Sequence, residues 1–267
     1  MSNKSAIFDW LDHLRELMPV SHLVVIGAGA GTGTWVHYLR SKNYKGVTLV
    51  EADHCQFRHL QRELSNHPEW HARQQLIAPK NGPTIFYEAD LSSESGILKP
   101  EVLRGVWANL EIGGQRTLEA VTLERLLTDL SLPVNWLVID CLPALAILAS
   151  AGASLDGVQI IAARIVFDEL ADCSESAHLG PLSESLKNRH FRFLTVDRCR
   201  NPGIGYALFV RDSEASIRQL GEQLMESARE VVHLKAELAE LKFRYEQQSA
   251  EAASVEAQVD FLKEALM

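Results

Sequence analysis

A run of closely spaced glycines, Gly27-Ala-Gly-Ala-Gly-Thr-Gly33, directly follows the apolar stretch His22-Leu-Val-Val-Ile26. Glycine adopts backbone angles that other residues avoid, and it lets the main chain come close to a ligand. A helix opening straight after such a loop turns N–H groups and the positive end of its dipole towards a polar or anionic group. The spacing is not that of the nicotinamide fingerprint G-x-G-x-x-G, because the sixth residue is Thr32 counted from Gly27 and Thr34 counted from Gly29. What stands there is G-x-G-x-G, formed by Gly29, Gly31 and Gly33. About 20 residues further on, the next apolar run ends at Glu51, where a carboxylate can accept hydrogen bonds from both hydroxyls of a ribose. The loop alone also suits a plain strand-to-helix turn; Glu51 at this distance favours a ligand.

These residues need a frame of alternating strands and helices. Ala6–Leu17 reads as an amphipathic helix ending before Pro19, and His22–Ile26 as a buried strand. Thr34–Ser41 is helical, Gly46–Glu51 is the second strand and His54–Ser65 the next helix. Further strands are expected at Arg73–Ile77, Thr84–Ala89, Arg116–Val121, Trp136–Asp140, Val158–Phe167, Phe191–Asp197 and Ile204–Val210. Further helices are expected at Leu123–Asp129, Ala144–Ala149 and Leu182–Asn188. Apolar strands alternating with helices imply a mostly parallel, doubly wound sheet, which binds ligands beyond the carboxyl ends of its strands.

The pattern changes near residue 212. From Ile217, mostly apolar or small residues recur at alternating spacings of three and four, through Leu220, Leu224, Ser227, Val231, Leu234, Leu238, Leu241, Tyr245, Gln248, Ala252 and Val255 to Val259, Leu262 and Leu266, with Tyr245, Gln248 and Ala252 a weak part of the seam. Such a seam, held for about seven heptads with charged residues between, reads as a coiled coil. The expected division is therefore 1–212 for the α/β domain and 213–267 for an oligomerisation helix. A homo-oligomer joined through residues 217–266 is expected, a dimer before a trimer. The seam stops in mid-heptad, which suggests a chain that continues further.

Several segments together resemble the class I S-adenosylmethionine-dependent methyltransferases, and among them the FkbM-type branch. Gly29-Ala-Gly31-Thr-Gly33 resembles the loop that holds the methionine part of that cofactor. Tyr87-Glu-Ala-Asp-Leu-Ser-Ser-Glu-Ser-Gly96 resembles a family stretch near the adenine, which implies Asp90 and Leu91 as adenine contacts. Thr122–Leu127 looks like a short family helix, and Phe191–Val210 like the family's closing pair of strands. Trp136-Leu-Val-Ile-Asp140 resembles the strand that carries the family's catalytic aspartate. The resemblance thus implies a Rossmann-like fold, S-adenosylmethionine as cofactor, Gly27, Gly29, Gly31, Gly33, Glu51, Asp90 and Leu91 as cofactor-binding residues, and Asp140 as the catalytic residue. It departs after Asp140: the family has further carboxylates where this chain has Leu142, Pro143, Ala144 and Leu145.

Composition excludes other classes. A net charge of −9 is not that of a nucleic-acid-binding surface. No apolar run is long enough to span a membrane. Four scattered cysteines without a C-x-x-C pair suit a reducing, cytoplasmic setting and suggest neither zinc nor a redox dithiol. His54, His59, His67 and His71 do not share a helical face, so no metal is expected. Asp168, Glu169, Asp172 and Glu175 with His178 read as a solvated acidic loop. Two functions fit: a methyltransferase acting on a hydroxyl such as a sugar's, oligomerised by its tail, or a catalytically degenerate head that binds partners on a coiled-coil rod.

Overall fold

A computed structural model describes residues 6–167, 174–199, 201–214, 225–245 and 247–249. The chain divides into two units, Met1–Asp212 and Ser213–Met267.

The first unit is a Rossmann-like α/β domain. In chain order it contains α1 (Ala6–Leu17), β1 (Leu23–Ile26), α2 (Thr34–Ser41), β2 (Val47–Glu51), α3 (His54–Glu63), β3 (Trp70–Gln74), β4 (Leu76–Ile77) and β5 (Gly82–Ala89). Then follow β6 (Ile112–Val121), α4 (Leu123–Thr128), β7 (Trp136–Ile139), α5 (Ala144–Ala149), β8 (Ile160–Val166), α6 (Leu179–Lys187), β9 (Phe191–Arg198) and β10 (Ile204–Arg211). Seven strands form the main sheet in the order β3-β2-β1-β7-β8-β10-β9. All pairings are parallel up to β8, and β10 runs antiparallel between β8 and β9.

Side chains alternate across this sheet and feed two cores, as the period of a strand requires. Leu23, Val25, Leu49 and Val138 meet the apolar stripes of α1, α2 and α3 on one face. Val24, Ile26, Leu137, Ile139 and Ile161 meet those of α4, α5 and α6 on the other. Two helices are started by side-chain caps: Asp53 accepts from Gln56 N at 2.8 Å ahead of α3, and Thr122 accepts from Arg125 N at 3.3 Å ahead of α4.

Three features differ from the sequence-based expectation. The strand expected over Arg73–Ile77 starts earlier and breaks at Gln75. Its backbone N–H still donates to Glu51 O at 3.0 Å, while its side chain donates to Glu119 O at 2.9 Å, so the chain leaves one sheet for another. That second sheet, β4-β6-β5, was not foreseen; β5 and β6 pair antiparallel, and β4 runs parallel to β6. Third, α6 starts at Leu179 rather than Leu182, because Pro181 in the first turn has no N–H that the helix needs.

The segment 90–111 between β5 and β6 folds over the carboxyl ends of β7 and β8. Its Leu103 and Leu110 pack with Leu142, Val166 and Ala177 in a separate apolar cluster.

In the second unit, residues 225–245 and 247–249 are helical. Val231, Leu234, Leu238, Leu241 and Tyr245 are all exposed along this helix. The expected seam residues from Ile217 to Leu224 and from Ala252 to Leu266 lie outside the described residues. No helix among the described residues is long and apolar enough to cross a membrane.

Candidate functional site

The order of the main sheet reverses between β1 and β7, so the connections leaving these neighbouring strands diverge and open a crevice at their carboxyl ends. A cavity of about 370 Å³ lies there. One side is the glycine loop with Glu51; the other is Asp140–Leu142 with Arg164 and Tyr206; Gln75–Ile77 and the turn around Ser92–Ile97 complete the wall.

The glycines do different work. Gly27 has φ +82°, and a Cβ there would sit 2.9 Å from both Asp140 O and Cys141 Cβ, so this glycine lets the loop press against the end of β7. Gly29 and Gly33 both face the cavity with open space beside them, while Gly31 turns towards Leu60 of α3 and does not line it. Gly33 is extended and caps α2 without a side-chain hydrogen bond.

Glu51 is buried at the end of β2. Its Oε2 accepts from Gly29 N at 2.7 Å and its Oε1 from Asp53 N at 2.8 Å. One carboxylate therefore ties the glycine loop to the start of α3. Burial pushes its pKa up, against the two N–H donors that favour the charged form. A carboxylate has about four acceptor positions, so lone pairs remain for a ligand on the cavity side.

Asp140 stands across the cavity and accepts a hydrogen bond from the Tyr206 hydroxyl. Burial pushes its carboxyl up to about 6, against the pull of Arg164 and of that hydrogen bond. Arg164 projects from the middle of β8; its Nη2 pairs with Glu94 Oε1 at 2.6 Å and its Nη1 donates to Ser93 O at 3.3 Å. Both residues are buried. Burial pulls the guanidinium pKa down, but Glu94 and Asp140 more than offset this and raise it. The pair pins the Ser92–Glu94 turn onto the main sheet. The same turn is tied to β5 by Tyr87 N to Gly96 O at 2.8 Å and Gly96 N to Tyr87 O at 3.0 Å.

Asp90 and Leu91 sit away from the cavity lining. Asp90 Oδ1 accepts from Leu91 N at 2.9 Å and from Glu111 N at 3.1 Å, closing the neck of the 90–111 segment, and Leu91 is exposed. The residues of this stretch that do line the cavity are Ser92, Ser93, Ser95, Gly96 and Ile97. Sequence reasoning missed Arg164, Glu94 and Tyr206. The available signal was a lone arginine inside the apolar run Ile160–Val166, since a buried charge requires a partner.

Among the described residues, no group of His, Cys, Asp or Glu is placed to hold a metal ion. The acidic loop residues Asp168, Glu169 and Asp172 lie outside the described residues.

No protein-family model matches this chain, and no curated protein matches it. Solved structures do. A human methyltransferase 10 domain-containing protein aligns with a TM-score of 0.42 at 12% identity, over 77% of this chain and 78% of that one. Magnesium protoporphyrin IX methyltransferase from Synechocystis, solved with S-adenosylmethionine bound, aligns with a TM-score of 0.41 at 10% identity, over 78% and 77%. Fibrillarin from Aeropyrum pernix, with natively bound S-adenosylmethionine, aligns with a TM-score of 0.38 at 12% identity, over 71% and 66%.

Proposed function

We propose that the domain binds S-adenosylmethionine and is a methyltransferase. The carrying observation is the Glu51 carboxylate, bonded to Gly29 N at 2.7 Å and lining the cavity beyond a glycine-rich turn at the sheet's reversal point. The residues fit the cofactor. The cavity falls within the range of about 300–1,000 Å³ usual for ligand pockets. Glu51 offers acceptors for ribose hydroxyls, the open side of Gly29 admits a close approach, and Ser92–Ile97 with Leu76 and Ile77 offer a mixed polar and apolar wall for a base. When bound, the cofactor supplies an electrophilic methyl carbon attached to a positively charged sulfur.

Asp140 is the candidate catalytic residue. A carboxyl titrating near 6 is ionised at neutral pH yet basic enough to take a proton from an attacking group. Tyr206 and Arg164 hold it in place. The FkbM-type resemblance points to a hydroxyl acceptor such as a sugar's. One observation favours the alternative of a degenerate, partner-binding head: the apolar cluster of Leu103, Leu110 and Leu142 occupies the space beyond β7 and β8 where an acceptor would enter. The exposed row Val231, Leu234, Leu238 and Leu241 supports pairing of the tail with a second copy, a dimer or a trimer.

Calorimetric titration of the full chain tests the cofactor reading, and sedimentation of the same sample tests the pairing. Micromolar binding of S-adenosylmethionine, weakened at least about 30-fold by Glu51→Gln, is expected, because the amide cannot accept from both N–H donors. Absence of binding by the folded protein ends the methyltransferase reading, binding with no turnover on any hydroxyl acceptor favours the partner-binding head, and a monomeric mass ends the pairing.

A further inference from the structure

The exposed row on the tail helix is flanked by an ordered set of charges. Val231 and Leu238 are first core positions of their heptads, and Leu234 and Leu241 are second core positions. The residue just before each first position is a glutamate, Glu230 or Glu237. The residue just after each second position is a lysine, Lys235 or Lys242. Over two consecutive heptads, one flank of the seam is thus acidic and the other basic. All four of these residues are exposed.

Their own helix pairs these charges poorly. An ion pair along a helix needs the opposite charge three or four residues away. At those distances Lys235 has Val231, Val232, Leu238 and Ala239. Glu230 has Glu226, Ser227, His233 and Leu234. Glu237 reaches His233 at 3.5 Å. Glu240, away from both flanks, does find a cation on its own helix, in Arg244. The flank charges are therefore left for a partner.

We propose that the occupant of this face is a second copy of the chain, lying parallel and in register, with Glu230 of each copy against Lys235 of the other and Glu237 against Lys242. The inference deepens the pairing of the tail given above and rests on it. In a parallel pair, each residue of the first flank lies beside the residue of the partner's second flank that comes five places later, and five is the offset from 230 to 235 and from 237 to 242. At the same offset Glu251 and Glu256 form one like pair per flank against two opposite pairs, which leaves a net attraction. An antiparallel partner sets like flanks together instead. The basic flank continues in the sequence as Ser249, Glu256 and Lys263 and is preceded by Gly221 and Ala228. It holds a single carboxylate, so no antiparallel register pairs both lysines. Parallel pairing also means that both chains enter the rod from the same end.

The test is sedimentation of the full chain at low ionic strength, where exposed charges are least screened. Lys235→Glu/Lys242→Glu and Glu230→Lys/Glu237→Lys each turn four attractions per dimer into four repulsions. Each double variant is expected to self-associate at least about tenfold more weakly than the parent, and an equal mixture of the two is expected to regain the parent's affinity. Val231→Cys and Tyr245→Cys, made separately and oxidised beside the parent as background, are both expected to form a disulfide-linked dimer. These positions are 14 residues apart, and an antiparallel pair crosses itself once and so links at no more than one of them. Double variants that associate as tightly as the parent, a mixture that does not recover, or cross-linking at fewer than both cysteines overturns the parallel register while the pairing stands. A monomeric parent overturns both and leaves the face to a different protein.

Discussion

On the β1–β2 side of the cavity, the groups facing inward come from two short stretches, the glycine loop and Glu51, joined by a hydrogen bond that Gly29 N donates to the Glu51 carboxylate. On the β7–β8 side, Asp140, Arg164 and Tyr206 come from the ends or middles of three strands. The ion pair that anchors them reaches Glu94, 70 residues away in sequence. The first side is shaped by backbone geometry, where a single added carbon matters. The second is shaped by charge, where the loss of one partner leaves the other buried alone. A defect on the first side acts through crowding, and a defect on the second through solvation.

That contrast can be broken most forcefully at Arg164. Arg164→Met leaves Glu94 buried without its cation and is expected to cost about 3–5 kcal/mol, read as a lowered midpoint in urea. Adding Glu94→Gln should restore much of it; a single variant as stable as the parent would show that charge does not hold this side together. Next comes Asp140→Asn. Its carboxyl titrates at about 6 in the folded chain against an ordinary 3.8, so the folded state keeps the proton longer than the unfolded one. The parent therefore loses stability as pH rises from about 4 through 6, and the amide variant should not. A gain of up to about 3 kcal/mol for the variant at pH 8, vanishing at pH 4, is expected from thermal melts across that range. A gain that persists at pH 4 would assign the effect to packing instead. The smallest effect belongs to the glycine side. Gly27→Ala is expected to cost about 2 kcal/mol, since its Cβ meets the Asp140 carbonyl at 2.9 Å in a left-handed conformation. Gly33→Ala, extended and with open space, should stay within about 0.5 kcal/mol. Equal costs at the two positions would mean that the loop is not built against β7.

The same contrast explains what could be read from the residues. Helices α1, α2 and α5 start and stop where apolar spacing and local breakers predict, because those signals lie within a few residues of one another. The glycine loop and Glu51 were legible for the same reason. The second sheet was not, since periodicity identifies a strand but not its partner: nothing local tells β4 to leave β3 and pair with β6. The trio Asp140, Arg164 and Tyr206 was legible only as far as Asp140, which follows an apolar strand. Tyr206 looks like any strand residue until β10 inserts beside β8 and brings it to Asp140. The adenine-side expectation fell on Asp90 and Leu91, whereas the lining residues begin at Ser92, because Asp90 is turned back to close its own segment.

Strand β1 has one neighbour close in sequence and one far away: Leu23 pairs with Val47 on one side and with Trp136 on the other. A chain emerging from its amino end can complete β1, β2 and β3 early, but the second edge of β1 stays bare until Trp136 of β7 follows Gln74 of β3, about 60 residues later. The cavity is later still, for its last wall residue, Tyr206, arrives with the final strand. Occupancy of the site is thus a receipt for a finished domain: no truncated or half-folded chain holds both Glu51 and Tyr206 in one cavity.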